Sequence, residues 1–181
     1  MVHFSHPNEL RPKAVEEALA RIGATGAVLR SQAPVIRGIN DDAESWVTLW
    51  KRLSRVGVVP YYMFVERDTG PQAFFSVPLE RCYDIFREAY SQVSGLERTV
   101  RGPVMSETEG KVCIDGITTI SGEKVFVLRY LQARKPRIVG RTFFAQFDPD
   151  ATWFSDLRPA LDAAELLPLR DDWAARDASA R

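Results

Sequence analysis

The sequence predicts an α/β fold, with three strand–helix units in the first part and a small antiparallel β region after them. Three observations carry this. Short apolar runs alternate with amphipathic helical patterns as far as about residue 93, the pattern of parallel strands joined by crossover helices. Beyond Gly95 the helical period is lost, and short apolar runs recur around the turn dipeptides Asp115-Gly116 and Ser121-Gly122. The composition, 45% hydrophobic and 27% charged over 181 residues, is that of one ordinary folded domain with a core to bury.

In the first unit residues 2–4 form the extended run. Ala14, Val15, Ala18, Leu19 and Ile22 then make one apolar stripe on a helix that starts near Pro12 and stops at Gly23. In the second, residues 26–36 read as a strand entering a loop. Asn40 and Asp41 are the cap candidates for a helix striped by Trp46, Leu49, Trp50 and Leu53 and closed by Gly57. The third strand, 58–65, is continuously apolar, as expected when both faces are covered, with Pro60 near its start and Tyr61 and Tyr62 on opposite faces. The helix after Pro78 buries Cys82, Ile85, Phe86, Ala89 and Tyr90.

Residues 94–110 read as a polar, turn-rich segment without a period. Short strands follow at 112–114, 118–120 and 125–128, and another within 137–147. The expected organisation is therefore 1–93, 94–170 and a frayed, charged tail at 171–181. Three strand–helix units do not close a barrel, and the outer edge of the first strand has nothing to pair with. The expectation is the later part of a larger sheet or barrel, completed by a missing N-terminal half or by a homo-oligomer.

Lys plus Arg and Asp plus Glu both number 24, so no whole-protein field recruits nucleic acid or an anionic membrane. The basic stretch Arg129, Arg134, Lys135, Arg137 and Arg141 lacks a nucleic-acid motif and reads as solvated surface or an interface. Cys82 and Cys113 are the only cysteines, which excludes a disulfide scaffold and fits a reducing, cytoplasmic setting. No apolar run reaches membrane-spanning length.

The runs His3-Phe4-Ser5-His6-Pro7-Asn8-Glu9, then Arg30-Ser31-Gln32-Ala33-Pro34-Val35-Ile36-Arg37-Gly38-Ile39-Asn40-Asp41-Asp42, then Val59-Pro60-Tyr61-Tyr62 carry a resemblance. In order and spacing, continuing through Val93-Ser94-Gly95 to about Lys111, the chain resembles the lysine 2,3-aminomutase family. These are radical S-adenosylmethionine enzymes that use pyridoxal phosphate. The resemblance implies the C-terminal part of a radical SAM partial (β/α) barrel. It also implies an isomerase reaction: a 2,3-amino shift on an amino acid bound as its pyridoxal phosphate aldimine, started by a deoxyadenosyl radical. Family members carry a CxxxCxxC motif for a 4Fe-4S cluster before the region matching His3, and nothing here corresponds to it. Two cysteines cannot supply three thiolates, so the chain alone is expected neither to hold the cluster nor to cleave S-adenosylmethionine. Its alternative reading is a non-catalytic module or degenerate remnant that acts only with a separate N-terminal half. A stand-alone enzyme using pyridoxal phosphate alone is a third reading.

Residue by residue, the resemblance implies pyridoxal phosphate on Lys111, which follows Gly110 at the end of the loop 106–110. That chemistry needs an amine nucleophile and room for a bulky cofactor. It places His3, His6 and Gln32 beside S-adenosylmethionine. As a metal site the two histidines lack third and fourth ligands. Asp68 or Arg67 is implied to contact the substrate. Val104 stands where lysine enzymes carry a second aspartate for the distal ammonium, so lysine is disfavoured. If Arg67 faces the cavity, an acidic or neutral amino acid suits better.

Overall fold

The structure, a computed structural model, describes residues 1–67 and 71–160. Seven strands form one sheet in chain order: β1 (Val2–His3), β2 (Leu29–Val35), β3 (Val58–Val65), β4 (Arg101–Glu107), β5 (Gly110–Ile120), β6 (Glu123–Ala133) and β7 (Thr142–Gln146). The first four run parallel and the last three antiparallel, so the α/β class is met, with a fourth parallel strand that the sequence does not announce.

The helices follow their apolar stripes. α1 (Lys13–Gly23) buries Leu19, and α2 (Ala43–Arg55) buries Trp46, Leu49, Trp50 and Leu53. The single turn α3 (Gln72–Phe75) precedes α4 (Leu79–Ser91), which buries Cys82, Ile85 and Ala89 but leaves Phe86 and Tyr90 half-buried. Together with the strands they enclose one main core, into which Trp153 and Phe154 also pack. Burying a side chain the size of Trp46 contributes about 3–5 kcal/mol when judged by truncation to alanine.

Four expectations change. Asp42, not Asn40 or Asp41, caps α2, its carboxylate accepting from the Ser45 N–H at 2.7 Å. Residues 101–107, expected as turns, form β4. There the pairings Tyr62↔Arg101 and Phe64↔Val104 set three residues of β4 against two of β3. The bulge sits at Gly102, whose φ is +157°, and at the cis peptide Gly102–Pro103. It hides the alternation, because Arg101 and Val104 share a face despite odd spacing. Asp115-Gly116 is not a turn but a bulge inside one long β5, whereas Ser121-Gly122 is the expected turn, with φ of 51° and 86°. Tyr61 is the extra residue of a bulge in β3, since Ser31 pairs with Pro60 and Gln32 with Tyr62. Its ring consequently meets that of Tyr62, centroids 4.5 Å apart, instead of pointing to the opposite face. The tail 171–181 lies outside the described residues.

Candidate functional site

Alternation along the strands sorts their side chains onto two faces. Leu29, Ala33, Val35, Met63, Val65, Met105, Val112 and Ile114 belong to the main core beneath the helices. Tyr62, Val104 and Cys113 form a separate cluster, joined by Tyr61, Phe64 and Leu131, all of them strand residues. This second, open face holds most of the residues singled out from sequence.

One row of backbone partners crosses it: His3 pairs with Gln32, Gln32 with Tyr62, and Tyr62 with Arg101. Val2 packs on the main core, so His3 looks the other way, its Nε2 3.0 Å from the Ser5 hydroxyl. Gln32, between core residues Ser31 and Ala33, shares that face and is half-buried. His6 is placed differently. Its Nδ1 accepts from the Asn8 N–H at 3.2 Å, while the Glu9 carboxylate accepts from the N–H groups of Ser5 and His6 at 2.8 Å each. That histidine caps the short turn after β1, and only its Nε2 remains for a ligand.

Lys111 is not on an open loop. It is the second residue of β5, paired with Ser106 across a tight hairpin, and it shares the face of Cys113. Gly110 is required there: a Cβ would come within 2.0 Å of the Gln132 carbonyl oxygen. Half-buried, Lys111 carries its Nζ 5.7 Å from the centroid of the Tyr62 ring. Burial pushes the Tyr62 phenol up from its ordinary range, and Arg101 beside it opposes the shift. The structure thus puts His3, Gln32 and Lys111 on one face of the sheet, with Gln32 the backbone partner of Tyr62 and Lys111 over the Tyr62 ring.

Arg67 is not among them. Beyond the end of β3, it lines a cleft of about 490 Å³ with Ser106, Glu107, Arg134 and Trp153. Asp68 lies outside the described residues. Val104 is fully buried between Tyr62 and Cys113. Sequence reasoning passed over Arg30 and Arg101, which flank Tyr61 from β2 and β4, each Cζ 4.8 Å from its ring centroid. The available signal was the spacing of Arg30 two residues before Gln32 on a strand.

Nothing here suits an iron–sulfur cluster. The Cys82 thiol is pushed up to about 12 by burial, and the Cys113 thiol to about 12 by burial and then by Asp115. Among the described residues no group of three His, Cys, Asp or Glu side chains could hold a metal ion. No helix among them is long and apolar enough to cross a membrane.

No family model matches the chain. A protein of Aquifex aeolicus (strain VF5), provisionally named an L-lysine 2,3-aminomutase, is 40% identical over 156 residues, 86% of this chain and 40% of its own length. The L-lysine 2,3-aminomutase of Escherichia coli (strain K12) is 32% identical over 93 residues, 51% of this chain and 27% of its length. The glutamate 2,3-aminomutase of Clostridioides difficile (strain 630) is 29% identical over 94 residues, 52% of this chain and 22% of its length. The chain spans less than half the length of these relatives.

Proposed function

We propose, since this chain is the counterpart of the C-terminal part of lysine 2,3-aminomutase family proteins, that it supplies the pyridoxal phosphate side of an aminomutase site. The reaction is an amino-group shift between carbons 2 and 3 of an amino acid other than lysine. The observation that carries the reading is the amine of Lys111, 5.7 Å from the Tyr62 ring on the face it shares with Cys113.

The residues present fit the cofactor. Lys111 offers the attaching amine, and Arg101, 5.9 Å from the same Tyr62 ring, offers a cationic neighbour. Pyridoxal phosphate, when bound, would supply the imine π-system through which the amino group migrates. The Tyr62 ring, 5.7 Å from the Lys111 amine, gives that cation an aromatic face that favours its place over the sheet. His3 and Gln32, adjacent in the same row, are the groups this chain would turn toward S-adenosylmethionine. Cluster chemistry does not fit this chain, which favours its acting with a cluster-bearing segment rather than alone.

The substrate reading rests on Val104 and its surroundings. A distal ammonium approaching here would meet an apolar side chain and the positive charges of Arg101 and Lys111, with no carboxylate from residue 104 to receive it. Joining the chain to the N-terminal part of the Aquifex relative tests this. With reduced cluster, S-adenosylmethionine and pyridoxal phosphate, a panel of amino acids should give 3-amino products from a substrate other than lysine. Efficient turnover of lysine would overturn the substrate reading.

A further inference from the structure

We infer that Arg30 and Arg101, reaching the Tyr61 ring from the two strands that flank β3, form an anion subsite on the open face that holds the oxyanion end of a small ligand, a distal carboxylate or a phosphate. The inference deepens the reading of Lys111, which fixes where the other end of that ligand lies.

The bulge at Tyr61 creates the arrangement. Regular alternation would send this ring toward the helices; the extra residue turns it onto the open face beside Tyr62. Arg30 from β2 and Arg101 from β4 each then stand 4.8 Å from its centroid. Arg101 is also 5.9 Å from the Tyr62 ring, and Lys111 is 5.7 Å from that same ring. Cation, ring, cation, ring, cation run across four adjacent strands.

Among the described residues no ion pair ties an acid to this ladder: Lys13–Glu17, Arg87–Asp84, Lys124–Glu80 and Arg129–Asp115 all leave out Arg30, Arg101 and Lys111. Arg129 makes the contrast, because Asp115 takes two of its N–H groups at 2.5 and 3.0 Å. A guanidinium stacked on a ring uses its flat face and leaves edge N–H groups for a planar oxyanion. Like charges held together without a counter-ion repel one another, so an anion relieves the repulsion while gaining donors already in place.

Of the ladder, Arg101 alone also lines a cleft of about 810 Å³, which passes Cys113 and Leu131 and reaches Tyr90 of α4. Of the arginines lining that cleft, Arg98 donates to the carbonyls of Tyr90 and Ser91, Arg87 pairs with Asp84 and Arg129 with Asp115, so Arg101 is the one there whose side chain, among the described residues, makes neither an ion pair nor a hydrogen bond to the backbone. An amino acid with a second carboxylate, or the phosphate of the cofactor, has the matching chemistry, and the two are separable.

Titration calorimetry of the full chain with glutarate, inorganic phosphate, pyridoxal phosphate and pyridoxal tests the subsite. Saturable oxyanion binding should weaken as ionic strength rises. It should fall about tenfold in R30Q and in R101Q, the loss of one charge-assisted contact, and stay unchanged in R129Q. If R101Q weakens pyridoxal phosphate but not pyridoxal, the phosphate is the occupant. If it weakens glutarate and leaves pyridoxal phosphate alone, the occupant is a distal carboxylate. Either result upholds the subsite. Absence of saturable binding by every oxyanion, or binding that R30Q and R101Q both leave intact, overturns it. Borohydride labelling at Lys111 reads the cofactor assignment separately, so either idea can fail without the other.

Discussion

Asn40 donates its side-chain amide to the backbone carbonyl of Ser5 at 2.7 Å, tying the loop after β2 to the turn after β1. The same amide donates to the Pro34 carbonyl at 3.0 Å, its oxygen accepts from the Ile36 N–H at 2.7 Å, and its own backbone carbonyl accepts from the Trp46 indole at 2.7 Å. Only 1% of the residue is exposed, so water cannot replace these partners.

Asn40→Ala should therefore cost about 2–4 kcal/mol, because several buried backbone groups lose their partner together. Denaturant unfolding of the parent and variant checks this. A loss below about 0.5 kcal/mol, the level of an ordinary surface substitution, would show that the tie is dispensable.

Gly102 and Gly140 offer a paired test of the β4 bulge. A Cβ on Gly102 would sit 2.4 Å from the Met63 carbonyl oxygen, whereas one on Gly140, also at positive φ, meets nothing within 4 Å. Gly102→Ala should cost about 2–5 kcal/mol, from strained backbone plus overpacking, and Gly140→Ala only about 1 kcal/mol. Equal losses would mean that the contact with β3 does not constrain position 102.

Both thiols predict an alkaline limb in the stability curve. The fold raises each from an ordinary 9.0 to about 12, so it favours the neutral form and an unfolded chain ionises first. That stability is fully present below about pH 9 and is lost as pH rises toward 12. Chemical unfolding from pH 8 to 11 should show the decline, and Cys82→Ala with Cys113→Ala should flatten it. An unchanged slope in the double variant would place its origin elsewhere.

Much of this fold is legible in the sequence where one period persists. The stripe Trp46, Leu49, Trp50, Leu53 lands wholly in the core, and β3 spans the residues its apolar run marks. Legibility fails where a bulge resets the alternation: Tyr61 joins Tyr62 on one face, and β4 hides behind Gly102. Asn40 looked like a cap because asparagine at a helix start commonly is one. Burial against Ser5, 35 positions away, is a tertiary fact that local spacing does not encode. The shared face of His3, Gln32 and Lys111 follows from strand register, which motif spacing alone leaves open, and the ladder at Arg30 and Arg101 requires four strands to be aligned first.

The most direct measurement concerns Lys111. The full chain is incubated with pyridoxal phosphate, reduced with borohydride and mapped by peptide mass. The pyridoxyl group should be found on Lys111 and be absent from Lys111→Ala. Labelling at Lys13, Lys51, Lys124 or Lys135, with Lys111 unmodified, would contradict the assignment of this face as the cofactor side of an aminomutase site.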